Sequence, residues 1–128
     1  MKEEVEFFER QFILTTYINE EGVYVRLFPL LVKYKFFSWD IISKSYIRKY
    51  NPILEYGGWG IRYGGFRFNL LRVNGLNFRN IMNKNVAYNI SGNIGLQLEL
   101  KSGKRVLIGT RKPVEMGDVL QKLGKLEE

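Results

Sequence analysis

The chain has 128 residues, enough for one domain to bury a core without disulfides or metal. It contains no cysteine and no histidine, which excludes thiol nucleophiles, imidazole bases and the usual zinc and haem ligand sets. The net charge is +7, and residues 10–112 carry seventeen Lys and Arg against five acids, so the body favours phosphate-rich or acidic partners.

No apolar run approaches the roughly 18–20 residues that cross a bilayer. The first nine residues hold four glutamates and lack the apolar stretch of a signal peptide. These features predict a soluble, cytoplasmic chain, and the absence of cysteine fits a reducing compartment. Residues 1–9 read as an N-terminal arm, either a short helix or loose, ahead of a domain spanning 10–126.

Residues 11–19 (QFILTTYIN) are β-branched and aromatic and predict a strand. Glu20-Glu21-Gly22 makes a turn. Val23, Val25 and Leu27 then alternate with Tyr24, Arg26 and Phe28, which completes a hairpin. Pro29 breaks that strand. A third follows, with Val32, Tyr34 and Phe36 alternating with Lys33, Lys35 and Phe37. Residues 43–50 form a fourth, placing Tyr46, Arg48 and Tyr50 on one face, and Asn51-Pro52 ends it.

Glu55-Tyr56-Gly57-Gly58-Trp59-Gly60-Ile61-Arg62 packs three glycines around a tryptophan. The cluster reads either as an edge that a ligand approaches or as a bulge with Trp59 in the core. No Gly-Lys-Ser/Thr follows, so it is not a phosphate loop. Asn74-Gly75 lies between apolar runs and predicts a type I′ hairpin turn. Taken as the turn, it sets Val73 opposite Leu76. Carried back without slips, the register sets Tyr63 opposite Val86, Ile61 opposite Tyr88 and Trp59 opposite Ile90. All six are apolar and share a face, which predicts one long hairpin over residues 59–90. Further strands are expected at 95–100 and 105–109. Pro113 opens a helix with Glu115 in its first turn and Met116, Val119, Leu120 and Leu123 as its apolar stripe. Gly117 weakens that helix.

The order predicts a mainly β fold of seven or eight antiparallel strands with one C-terminal helix. Three blocks carry a family resemblance. They are Tyr50-Asn51-Pro52 running on to the glycine cluster, Ala87-Tyr88-Asn89-Ile90-Ser91-Gly92, and the segment from Gly95 through Thr110 to Pro113. Over about residues 12–125 the chain resembles the bacterial pleckstrin-homology-like domains. The resemblance implies a pleckstrin-homology-like barrel closed at one end by the helix; it does not imply phosphoinositide binding. Related chains often carry membrane-spanning segments before the domain, which this one lacks, and connect directly where this one has a hairpin inserted at about 64–83.

The insertion holds Phe66, Arg67, Phe68, Leu70, Arg72, Val73, Leu76, Phe78 and Arg79, the candidate interaction residues. So apolar a ribbon either folds back on its own barrel, self-associates, or contacts a membrane surface or another macromolecule. Lys44, Arg48, Lys49 and Arg62 are the candidate anion-binding residues, on strands rich in aromatic side chains. They read either as a site for nucleic acid or acidic lipid headgroups, or as solvated strand faces. Asp40, Glu55 and Glu99 are the acids between residues 22 and 112, and their spacing brings no pair together for acid–base work. The expectation is a non-enzymatic interaction module without cofactor, binding itself or another protein, with an anionic membrane surface or nucleic acid as the alternative partner.

Overall fold

The computed structural model describes residues 1–7, 11–51, 60–63, 85–89 and 91–126. The first sheet is an antiparallel meander in the order β1-β2-β3-β4, comprising β1 (Lys2–Phe7), β2 (Phe12–Ile18), β3 (Gly22–Phe28) and β4 (Leu31–Ser38). The N-terminal segment is therefore neither a helix nor a loose arm. Lys2 pairs with Tyr17 and Phe7 with Phe12. The reason is a period of two hidden among charges. Glu3 and Val5 point inward and are buried, while Glu4 and Glu6 stay exposed. Glu3 tolerates burial because its carboxylate accepts the Thr110 hydroxyl at 2.7 Å and the Arg111 backbone N–H at 3.0 Å.

In β3 the expected alternation holds: Val23, Val25 and Leu27 are fully buried. The turn into it is tight. Asn19 Oδ1 accepts the backbone N–H groups of Glu21 and Gly22, and a Cβ on Gly22 would lie 2.2 Å from the Phe37 carbonyl oxygen. A short 3-10 helix, Trp39–Ile41, then leads into the second sheet, with the Ser38 hydroxyl capping the Asp40 N–H.

The second sheet has the order β5-β8-β9-β7-β6, formed by β5 (Ile42–Lys49), β6 (Gly60–Tyr63), β7 (Asn85–Asn89), β8 (Ile94–Leu100) and β9 (Arg105–Gly109). Ile61 stands opposite Tyr88 and Tyr63 opposite Val86, the register inferred from Asn74-Gly75. The Trp59–Ile90 pair and the turn itself lie outside the described residues. Two expectations need correction. The described residues form nine strands, and not all pairs are antiparallel, because β7 runs parallel to β9. β8 follows β7 in the chain, yet β9 folds back against β8 and fills the space between them. The strands form two sheets, and no closed barrel is found among the described residues.

The core lies between the inner faces. Leu14, Ile18, Val23, Val25 and Leu27 meet Leu96, Leu98, Val106 and Ile108 there. Helix α1 (Pro113–Lys122) adds Met116 and Leu120, four residues apart and both fully buried. Thr110 prepares its entry, donating to Glu3 while accepting the Lys112 N–H at 3.0 Å. Past its end, the Lys125 carbonyl accepts the Ser45 hydroxyl, and the Lys125 ammonium sits 5.6 Å from the Trp39 ring centroid.

Glu3→Ala removes a buried, doubly hydrogen-bonded carboxylate and should lower unfolding free energy by about 2–3 kcal/mol. Glu4 makes an exposed ion pair with Lys2 at 3.2 Å. Glu4→Ala should change stability by less than about 0.5 kcal/mol. Urea melts of the two variants check the contrast.

Candidate binding surface

The outer face of the first sheet is aromatic. Strand register sets Tyr17 beside Tyr24 and Tyr24 beside Phe36, a row across three strands. The Tyr24 and Phe36 rings stack at 4.4 Å between centroids and 29° between planes. Tyr17 and Tyr34 meet Tyr24 edge-on, each at 6.4 Å. The Arg26 guanidinium lies 4.8 Å from the centroid of the Tyr34 ring. Tyr17, Asn19, Tyr24 and Tyr34 line a shallow groove of about 280 Å³. Despite these contacts, Tyr17 and Tyr34 are each 42% exposed and Phe36 41%. Mutual ring packing holds the face in place without covering it.

Charge does not accumulate on that face. The Tyr24 hydroxyl donates to Glu21 Oε2 at 3.2 Å. Desolvation, that hydrogen bond and the Glu21 charge together raise the phenol above its ordinary pKa.

Strand β4 is the edge of the meander, and five consecutive residues, Val32, Lys33, Tyr34, Lys35 and Phe36, are all exposed. Its side chains alternate. Tyr34 and Phe36 join the aromatic face, whereas Lys33 and Lys35 share the opposite side with the buried Phe37. Lys104, in the β8–β9 turn, belongs to this second group electrostatically. Partial burial lowers its pKa first, and the Lys35 charge lowers it further.

The residues singled out in the sequence fare differently. Lys44 and Lys49 are exposed on β5. Arg48 is committed to structure: its Nε donates to Gln97 Oε1 at 3.0 Å and its Nη1 to the Lys49 carbonyl at 3.1 Å. Gln97 is itself buried and donates to the Val106 carbonyl at 3.2 Å. Arg62 lies on β6, the far edge of the sheet from β5, roughly 19 Å away at about 4.8 Å per strand. The fold therefore does not bring Arg62 to the other three. Phe66, Arg67, Phe68, Leu70, Arg72, Val73, Leu76, Phe78 and Arg79 lie outside the described residues. Tyr17, Tyr24 and the lysines of β4 join this surface without having been candidate site residues in the sequence. Their signal was the alternation of Val32, Lys33, Tyr34, Lys35 and Phe36 on a strand whose neighbours bury one face.

A second groove, of about 740 Å³, runs between β5 and α1, with Lys44, Tyr46, Ile47, Val114, Gly117 and Asp118 among its lining. A Cβ on Gly117 would meet nothing within 4 Å, so packing does not account for this glycine in a helix. Among the described residues, no three His, Cys, Asp or Glu side chains are grouped to hold a metal ion, and no helix is long and apolar enough to cross a membrane.

Arg48→Ala should destabilise by about 1–3 kcal/mol by stranding the buried Gln97 oxygen, which a urea melt reads directly. Lys104 gives a pH prediction. Its folded pKa lies below the unfolded value, so its unfavourable contribution is fully present at neutral pH. That contribution fades as pH rises through the folded pKa towards the unfolded one. Lys35→Gln should move the Lys104 titration upward, as followed by NMR of the side-chain methylene beside the ammonium.

Compared with known proteins, the chain matches no family model, no curated protein and no solved structure.

Proposed function

We propose that this chain is a non-enzymatic, protein-binding module on a pleckstrin-homology-like scaffold, with itself or a second protein as partner. The observation that carries the reading is the aromatic outer face of β2, β3 and β4. Tyr17, Tyr24, Tyr34 and Phe36 form a pre-ordered patch whose rings lose little conformational freedom on binding. Aromatic residues are enriched where proteins meet, and apolar surface of this kind favours contact with another protein. The scaffold assignment is supported by a four-stranded meander, a second sheet and a C-terminal helix that seats Met116 and Leu120 against the core. The inserted segment at 64–83 is part of the same proposal, as a second contact surface. A cytoplasmic setting belongs to it as well.

A second reading has its own observation. Burial and then the nearby Lys35 charge lower the Lys104 pKa. Among the described residues, neither these two lysines nor Lys33 make an ion pair. Such a cluster suits an anionic surface, either acidic headgroups on a membrane the protein visits peripherally or nucleic acid.

Light scattering across a concentration series tests the first reading. The intact protein should be larger than a monomer, or should gain mass with a partner purified alongside it. The double variant Tyr34→Ser, Phe36→Ser should lose that gain. Replacing residues 66–82 with a short turn tests the inserted segment separately. A protein whose mass is monomeric and unchanged by either variant, with no partner retained, overturns the reading. For the second, binding to vesicles rich in phosphatidylserine or to oligonucleotides should fall steeply with salt and fall further in Lys33→Glu, Lys35→Glu.

A further inference from the structure

We infer that the free edge of β4 is a strand-addition site for an extended segment of another protein in which acidic residues alternate with apolar ones. The inference rests on the protein-binding reading above and names the kind of partner.

Three observations converge on this edge. First, β4 has one ladder partner, β3, among the described residues, and outside the register shift between Leu31 and Lys35 its alternate backbone N–H and C=O groups face outward. Second, all five residues from Val32 to Phe36 are exposed, so side chains on both faces of the strand are accessible. An added strand would then have an aromatic floor on one side, made by Tyr34, Phe36 and Tyr24. On the other it would have a cationic side, made by Lys33 and Lys35 with Lys104 nearby. Third, these lysines make no ion pair among the described residues, and the like charge of Lys35 disfavours the charged form of Lys104. A carboxylate placed between them relieves that repulsion.

The same pattern argues against a second copy as the occupant. Antiparallel pairing of β4 with itself about Tyr34 would set Lys33 opposite Lys35 twice over, and like charges directly opposite each other are destabilising. Lysine on an edge strand is a common guard against self-pairing. Here it also selects. An incoming strand with carboxylates at every second position satisfies Lys33 and Lys35, and its intervening apolar side chains lie on the aromatic face. The period of two in β4 sets the period of two in its partner.

The probe is a short fluorescent peptide alternating glutamate with valine, titrated into the full-length protein and followed by anisotropy and by amide NMR. It should bind, shift and protect the amides of Lys33 to Phe36, and weaken by about tenfold or more in Lys33→Glu, Lys35→Glu. Methylating every second peptide nitrogen on the paired edge should abolish binding, which a purely electrostatic contact would not show. A matching peptide alternating lysine with valine should not bind.

Four results overturn the inference: no binding of the acidic peptide at millimolar concentration, equal binding to the charge-reversed variant, equal binding of the methylated peptide, or an oligonucleotide that outcompetes the peptide on the same lysines. If the peptide fails while Tyr34→Ser, Phe36→Ser still abolishes association in light scattering, strand addition falls and the protein-binding reading stands. If the protein is monomeric, unchanged by those substitutions and by replacement of residues 66–82, and retains no partner, the broader reading falls.

Discussion

Two sheets with one apolar face each must cover one another, and the remaining features of this fold follow from where that cover succeeds and where it stops. The inner faces meet through alternate residues of nearly every strand, so Leu14, Val23, Val25 and Leu27 are sealed against Leu96, Leu98, Val106 and Ile108. Helix α1 closes the core further with two side chains. At β4 the cover runs out. Lys35 stands beside the fully buried Val25 in register, yet is itself exposed. A hydrophobic residue there would gain little burial, and a lysine keeps its ammonium in water.

Polar groups join parts of the chain that hydrophobic contact alone would leave loosely oriented. Glu3, on the first strand, reaches Thr110 and Arg111 at the end of the last. Through Thr110 it also orients the segment that opens α1. On the second sheet, Tyr50 accepts from the buried Asn89 side chain at 2.9 Å, and Arg48 satisfies Gln97. Apart from the local Thr110–Lys112 bond, these bonds span many residues in sequence, and a buried polar group is tolerated when its partner is held in place. The same logic separates structural charge from available charge. Arg48 serves the interior, whereas Lys33 and Lys35 serve no partner within the described fold.

The aromatic face and the cationic edge are two sides of a single strand. Because side chains of a strand alternate, β4 presents Tyr34 and Phe36 to one side and Lys33 and Lys35 to the other, although its register with β3 shifts between Leu31 and Lys35. Two chemically different surfaces therefore share one edge of hydrogen-bonding groups. That arrangement suits recognition of another extended chain better than recognition of a compact ligand, because only an extended chain can meet both sides and the edge together.

Much of this architecture is written locally. Alternation placed β3 and β8, and the proline, glutamate and apolar stripe placed α1. The Asn-Gly turn fixed a register that holds at Ile61–Tyr88 and Tyr63–Val86. These succeed because strand period, turn chemistry and helix entry depend on neighbours in sequence. What depended on distant partners was not legible. The acidic N-terminus reads as a loose arm until Thr110 and Arg111 are there to receive Glu3. Likewise β7 reads as antiparallel to its neighbour until β9 comes between it and β8. Arg48 and Arg62 look like members of one basic site until strand order places them at opposite edges. The sequence by itself determined which residues alternate and where the chain turns, because those are short-range properties of the backbone. Only the tertiary structure decided which alternating faces are covered, because burial is a property of two surfaces and β4 is where the second surface ends.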